Sequence, residues 1–210
     1  MSNLTFPLYH ATNTIFENSI IEFGLGGKNL IKELKVIELL NELIKIAESK
    51  IPNDYVWKNL RAESERMAKQ SSTMFEHGQI YVTPSLQKAK IYIKNRYGSE
   101  IITMTFKVVS LLRKEKITIS DSIINNFENF FQLENKSIGP IIYKINNLHI
   151  ESIISLEDGD NNVDSIKKQI KKIEDIISLY GVEKYDSNVQ CHNFRIGKIM
   201  IGENVDTLVY

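Results

Sequence analysis

Two hydrophobic periods alternate along this chain, and no all-helical or all-strand fold accommodates both. From Asn29 the apolar residues Leu30, Ile31, Leu34, Ile37, Leu40, Leu43, Ile44 and Ala47 recur at helical spacing, with Lys and Glu between them. The spacing predicts an amphipathic helix of about five turns, stopped by Pro52, and a more polar helix over residues 54–70. A second stripe (Ile166, Ile170, Ile173, Ile176, Ile177) predicts a helix with Asp164 as N-cap, running to Gly181. Elsewhere the pattern shortens. Residues 4–10, 79–83, 100–109, 141–145, 148–156 and 194–201 are rich in Ile, Val, Thr, Phe and Tyr and read as strands, 100–109 most clearly. Asn146-Asn147 reads as a two-residue hairpin turn. A short helix over 85–97 takes Ser85 as N-cap and Gly98 as its C′ residue. The expected class is α+β, mostly antiparallel, with helices inserted early and appended late.

A length of 210 residues fits one domain. Lys and Arg (26) balance Asp and Glu (26), so no overall field steers the chain toward nucleic acid or membrane. The single cysteine, Cys191, excludes an internal disulfide framework, and four scattered histidines give no zinc-finger spacing. No apolar run is long enough to span a bilayer, and the first residues lack a charged leader; the expectation is a cytosolic chain without metal.

The residues that carry chemistry fall in two stretches. His10 ends the first strand in Leu8-Tyr9-His10-Ala11-Thr12, where side chains reach a cleft, whereas His77, His149 and His192 read as surface or loop residues. The second stretch runs from Phe75-Glu76-His77-Gly78 through Gln79-Ile80-Tyr81-Val82-Thr83 to Ala89 and Tyr92. Tyr81 taken alone is a packed strand aromatic. Together, a strand bearing Tyr-His-small-Thr, a strand Gly-x-Ile-Tyr-x-Thr and a helix carrying Ala and Tyr resemble the NAD-dependent ADP-ribosyltransferases, in the diphtheria-toxin and poly(ADP-ribose) polymerase branch.

The resemblance implies a split antiparallel sheet and NAD as co-substrate. It implies that His10 hydrogen-bonds the adenosine-side ribose and that Ala11, where the family usually has Gly, holds the nicotinamide amide through its backbone, with Thr12 beside it. It further implies that Tyr81 and Tyr92 embrace the nicotinamide ring, and that Ala89 stands where the polymerases have serine. A flat cationic ring is well held between aromatic faces.

The third, acidic motif departs from the pattern. Gly139-Pro140 occupy the point where a carboxylate opens a late strand. In the rifampicin-modifying transferases an Asp lies earlier, and Asp121 matches it; Glu134 is the runner-up, followed by Glu151 and Glu203. The expected activity is mono-ADP-ribosyl transfer to a macromolecular acceptor, protein or nucleic acid, in a toxin or defence effector that has an inhibitory antitoxin partner. The alternatives are an inactive module that binds an NAD-like nucleotide or a partner protein, and an interaction protein built on its helices. An RNA 2′-phosphate-removing transferase needs several cleft arginines, and Arg61, Arg66, Arg96, Arg113 and Arg195 sit in no such motif. Lys88, Lys90, Lys94 and Arg96 flank the presumed cleft, while Lys167, Lys168, Lys171 and Lys172 read as a solvated helix face. The division expected is one domain over 1–210, with a helical insertion over 28–72 above the cleft and a C-terminal extension over 163–210.

Overall fold

A computed structural model describes residues 3–69, 77–94, 97–188, 192–202 and 204–209. Phe75, Glu76, Arg96, Cys191 and Glu203 therefore lie outside the described residues. Along the chain come β1 (Leu8–Asn13), α1 (Glu17–Phe23), α2 (Leu30–Glu33), α3 (Val36–Lys50), α4 (Tyr55–Ala68), β2 (Ile80–Val82) and α5 (Leu86–Tyr92). Then follow α6 (Glu100–Lys114), α7 (Asp121–Asn126), α8 (Glu128–Phe131), β3 (Pro140–Ile145), β4 (Ile153–Leu156), α9 (Val163–Asn188), β5 (Phe194–Ile196) and β6 (Val205–Val209). The class is α+β, with two antiparallel three-stranded sheets ordered β1-β3-β6 and β2-β5-β4.

The sheets touch at one residue pair. Tyr9 N donates to Thr83 O at 2.7 Å and Thr83 N to Tyr9 O at 2.9 Å, so β1 and β2 meet and then part. This seam is the architectural fact on which the site depends.

The helical stripe read from Asn29 is interrupted at Lys35, whose φ of 50° separates α2 from α3. Leu39, Leu40 and Leu43 are fully buried on the inner face of α3. Asp54 caps α4 by accepting from Trp57 N at 2.8 Å, and the buried Trp57 indole donates to Glu48 Oε1 at 2.9 Å. Residues of α3 and α4 share one core with α6 and with Leu8, Ile141 and Phe194 of the strands. The described part of the expected insertion, residues 28–69, is thus integrated into the packing rather than standing off it.

The segment expected as the clearest strand, 100–109, is the helix α6. Its apolar residues Ile101, Ile102, Thr105, Phe106, Val108, Val109 and Leu112 recur every three to four positions and are all buried. Counting β-branched residues concealed that period. The helix also satisfies its own hydroxyls: Thr103 Oγ1 donates to Ser99 O and Thr105 Oγ1 to Ile101 O, each at 2.8 Å. Burial against α3 then overrides intrinsic strand preference. From its outer flank an aromatic stack runs from Tyr97 through Phe106 to Phe130, with centroids 4.3 and 4.4 Å apart.

The hairpin expected across Asn146-Asn147 does not form. Asn147 has the left-handed φ of a turn residue (53°), but the chain passes through a 3₁₀ turn, Ile150–Ser152, and β4 joins the other sheet. The strand expected over 194–201 ends at Ile196; Ile199 instead bridges to Leu25. The strand β6, not anticipated, pairs with β3 from Ile141↔Val209 to Ile145↔Val205. Ser85 caps α5 as expected, but the helix ends at Tyr92, so Gly98 is not its C′ residue. Gly98 has φ 62° and a Cβ there would lie 2.8 Å from the backbone nitrogen of Asn13, so its role is close approach to β1. Asn162, not Asp164, caps α9: its Oδ1 accepts from Asp164 N at 2.9 Å. Gly181 (φ 78°) kinks α9 rather than ending it, and beyond the kink Tyr185 is buried and Asp186 Oδ1 accepts from Ser85 Oγ (2.6 Å) and Gln87 N (3.0 Å). Among the described residues no helix is long and apolar enough to cross a membrane.

Candidate functional site

Where β1 and β2 diverge from the seam a cavity of about 240 Å³ opens. Its walls are Tyr9–Thr12 of β1, Ile80–Thr83 on and after β2, the glycine loop from Gly24 to Gly26 with Lys28, and Leu30 and Ile31 of α2. Phe16 with Ser19 and Ile20 of α1, the turn His77-Gly78-Gln79, Tyr92 of α5, Gly98 to Glu100 at the start of α6, and Asn193 just before β5 also line it. Of the expected site residues, His10, Ala11, Thr12, Tyr81 and Tyr92 all line this cavity, although His10 and Tyr81 are 71 positions apart.

His10 is fixed by its backbone neighbour. Its Nδ1 lies 2.9 Å from Tyr81 O, and a carbonyl only accepts, so Nδ1 carries the proton. Desolvation lowers the imidazole pKa below its ordinary 6.5 and outweighs the opposing carbonyl hydrogen bond. The ring is therefore neutral at pH 7, and Nε2 is an acceptor that suits a hydroxyl.

Tyr81 and Tyr92 are half-buried and contribute the cavity's phenol groups along with Tyr9. Desolvation, with Glu157 and Glu100 nearby, raises the Tyr92 pKa, so its hydroxyl keeps its proton. The Lys88 ammonium sits 5.4 Å from the centroid of the Tyr92 ring. Ala89 does not line the cavity; it is fully buried with Tyr9 and Ile142 between α5 and the first sheet. Its small side chain sets how closely α5 packs there, one turn before Tyr92.

Neither expected acid reaches the cavity wall. Asp121 is exposed in the first turn of α7, because the segment before it is not a strand that points into the cleft. Glu134 is held by Arg113 at 2.7 Å, outside the lining. Glu151 is exposed, 3.7 Å from His149. The carboxylate that does line the cavity is Glu100, which the strand reading of 100–109 concealed. A second, Glu157, lies behind the wall and accepts from Asn193 Nδ2 at 2.8 Å.

The cation in the lining is Lys28, paired with Glu33 at 2.9 Å and 4.9 Å from the Phe23 ring centroid; Lys88, Lys90 and Lys94 are not part of it. His77, read from sequence as a loop residue, is in a turn but also faces the cavity, with its pKa lowered chiefly by desolvation. Lys28, His77, Glu100 and Asn193 were missed because each is brought in by a loop or an element end. The one signal available was positional, since Asn193 stands directly before an expected strand; His10, expected to end a strand over 4–10, is instead the third residue of β1, which runs from Leu8 to Asn13. Comparison with protein-family models, with curated proteins and with solved structures finds no match to this chain.

Proposed function

We propose that this chain is an NAD-dependent mono-ADP-ribosyltransferase that binds NAD in the cavity at the seam. The observation that carries the reading is the convergence of His10, Tyr81 and Tyr92, drawn from three separate elements, on one wall system. The residues suit the molecule. The neutral His10 offers Nε2 to a ribose hydroxyl, and Tyr81 and Tyr92 offer aromatic faces to a cationic ring. Lys28 offers charge to the pyrophosphate. Glu100 is the carboxylate positioned to favour positive charge that grows at the sugar carbon. The reaction breaks the bond between the ribosyl carbon and the nicotinamide nitrogen; nicotinamide leaves with the electron pair, and an acceptor nucleophile bonds to the carbon and gives up its proton. Holding both ends of the substrate is the larger part of such catalysis.

The test is incubation with NAD labelled in the adenylate half and a cell lysate, followed by separation into protein, RNA and DNA. Label in one fraction together with free nicotinamide is the expected result. No label in any fraction and no nicotinamide release overturns the reading.

A second reading is supported by the exclusion of Asp121 and Glu134 from the lining: a module that binds an NAD-like nucleotide without cleaving it. Calorimetry separates the two, since a binder saturates with NAD while no nicotinamide appears over hours.

A further inference from the structure

Beside Tyr92 the buried Asn193 and the half-buried Glu157 form a polar pair that the NAD reading leaves unused. Asn193 is 5% exposed and lines the cavity immediately before β5. Its Nδ2 donates to Glu157 Oε2 at 2.8 Å, and its side chain offsets part of the rise that burial gives the Tyr92 pKa. Among the described residues its Oδ1 is buried with no partner.

A buried amide oxygen without a donor is uncommon in a folded chain, because nothing replaces the water it has lost. The amide cannot relieve this by turning over. An ionised carboxylate only accepts, so Glu157 keeps the NH₂ group facing itself and turns the carbonyl away. Burial, with Asp158 beside it, raises the Glu157 carboxyl above its ordinary value, and the Asn193 hydrogen bond and the Lys88 ammonium offset part of that rise. A donor bonded to a carboxylate is polarised, which makes the carbonyl at the other end of the same amide a stronger acceptor.

We propose that Asn193 is the specificity-determining residue that accepts a hydrogen bond from the bound substrate, and that Glu157, outside the cavity lining, is its positioning residue. The inference rests on the NAD reading of the cavity. The donor is then a ribose hydroxyl or carboxamide N–H of the half of the molecule beside Tyr92. A neutral acceptor locked in one orientation rejects a ligand that presents a second acceptor at this point, which a freely turning amide would tolerate.

The experiment measures nicotinamide release by the full chain, with kcat and KM for NAD separated, in wild type, Asn193→Ala, Glu157→Ala and Glu157→Gln. Thermal midpoints establish that each variant folds. The expected result is a loss of ten- to a hundredfold in kcat/KM for Asn193→Ala and about tenfold for Glu157→Ala. Glu157→Gln recovers most of the second loss, because its amide oxygen still accepts from Nδ2. If Glu157→Ala does not fold, Asn193→Ala and Glu157→Gln decide the question: a large loss in the first with a small loss in the second supports it. Activity of Asn193→Ala within twofold of wild type overturns the inference while the functional reading stands. A lower thermal midpoint in Glu157→Ala with unchanged kcat and KM overturns the positioning role. Wild-type chain that neither binds NAD nor releases nicotinamide overturns the functional reading, and this inference with it.

Discussion

The helical layer of α3, α4 and α6 and the seam between β1 and β2 are made from similar apolar residues but packed to different ends. In the layer, Leu39, Leu40, Leu43, Trp57, Ile102 and Val109 are wholly removed from water, and the indole nitrogen of Trp57 finds its acceptor in Glu48. At the seam two strands share one residue pair and then separate, leaving His10, Tyr81 and Tyr92 half-buried around an opening. The layer accumulates stability without most of its side chains touching the cavity. The seam can then hold a desolvated histidine and an unsatisfied amide oxygen, each of which costs stability. Dense packing and the open cavity occupy different parts of one core.

That division is open to attack from both sides. The largest effect belongs to the layer: Trp57→Ala is expected to cost about 3–5 kcal/mol of unfolding free energy in a denaturant titration. The folded fraction should bind NAD with unchanged affinity, and a parallel loss of affinity would erase the distinction between the regions. At the seam the order reverses. His10→Ala and Tyr81→Ala are each expected to weaken NAD binding by about 1–3 kcal/mol by calorimetry, with smaller changes in thermal midpoint. Unchanged affinity in both would remove the seam as the binding region.

A pH series sharpens the comparison further. His10 is desolvated, so its folded pKa is below its unfolded value of 6.5, and below that pH the unfolded chain binds the proton more readily. The contribution of His10 to stability is present above pH 6.5 and lost as pH falls. The stability difference between wild type and His10→Gln should shift against wild type in that direction. Protonation also turns Nε2 from acceptor to donor, so NAD affinity should hold steady above pH 6.5 and fall at lower pH. An affinity that rises on acidification would mean that the charged ring is the binding form. The smallest effects are expected at the two acids outside the cavity. Asp121→Ala and Glu134→Ala should leave nicotinamide release within twofold. Glu134→Ala should also cost no more than about 1 kcal/mol of stability, as befits an exposed pair with Arg113. Loss of turnover in Asp121→Ala would restore it as the reacting acid and require α7 to move.

Much of this division was legible in the sequence, and the exceptions have definite causes. The stripe over 166–177, the Ser85 cap and the strand that carries Tyr81 are local patterns and appear where the spacing predicts, whereas the stripe over 30–47 is split at Lys35 and the strand that carries His10 runs over Leu8–Asn13 rather than 4–10. The segment 100–109 was misread because its β-branched residues were weighed by type, whereas their three-to-four spacing already marked a helix face. Asn146-Asn147 has turn chemistry, but turn chemistry does not say which sheet the next strand will join. The polar lining residues that the sequence did not mark, Lys28, His77, Glu100 and Asn193, meet only through contacts between distant elements. No periodicity within a window reports such a meeting.

The position of β5 has a consequence for how the chain comes off the ribosome. Among the described residues β4 has its sheet partner only in β5, and β2 has β5 as its one neighbour within the sheet. β3 likewise pairs on one side with β6, so both sheets are completed from residues 194–209. A nascent chain that has been synthesised through α9 already carries His10, Tyr81 and Tyr92, yet the strand bearing Tyr81 has no sheet to belong to. Pairing strands so far apart in sequence is slow compared with forming the helices that precede it. Vectorial synthesis therefore delivers the helical scaffold before the sheet partner of β2 and before Asn193, the one lining residue of the cavity that follows Glu100 among the described residues.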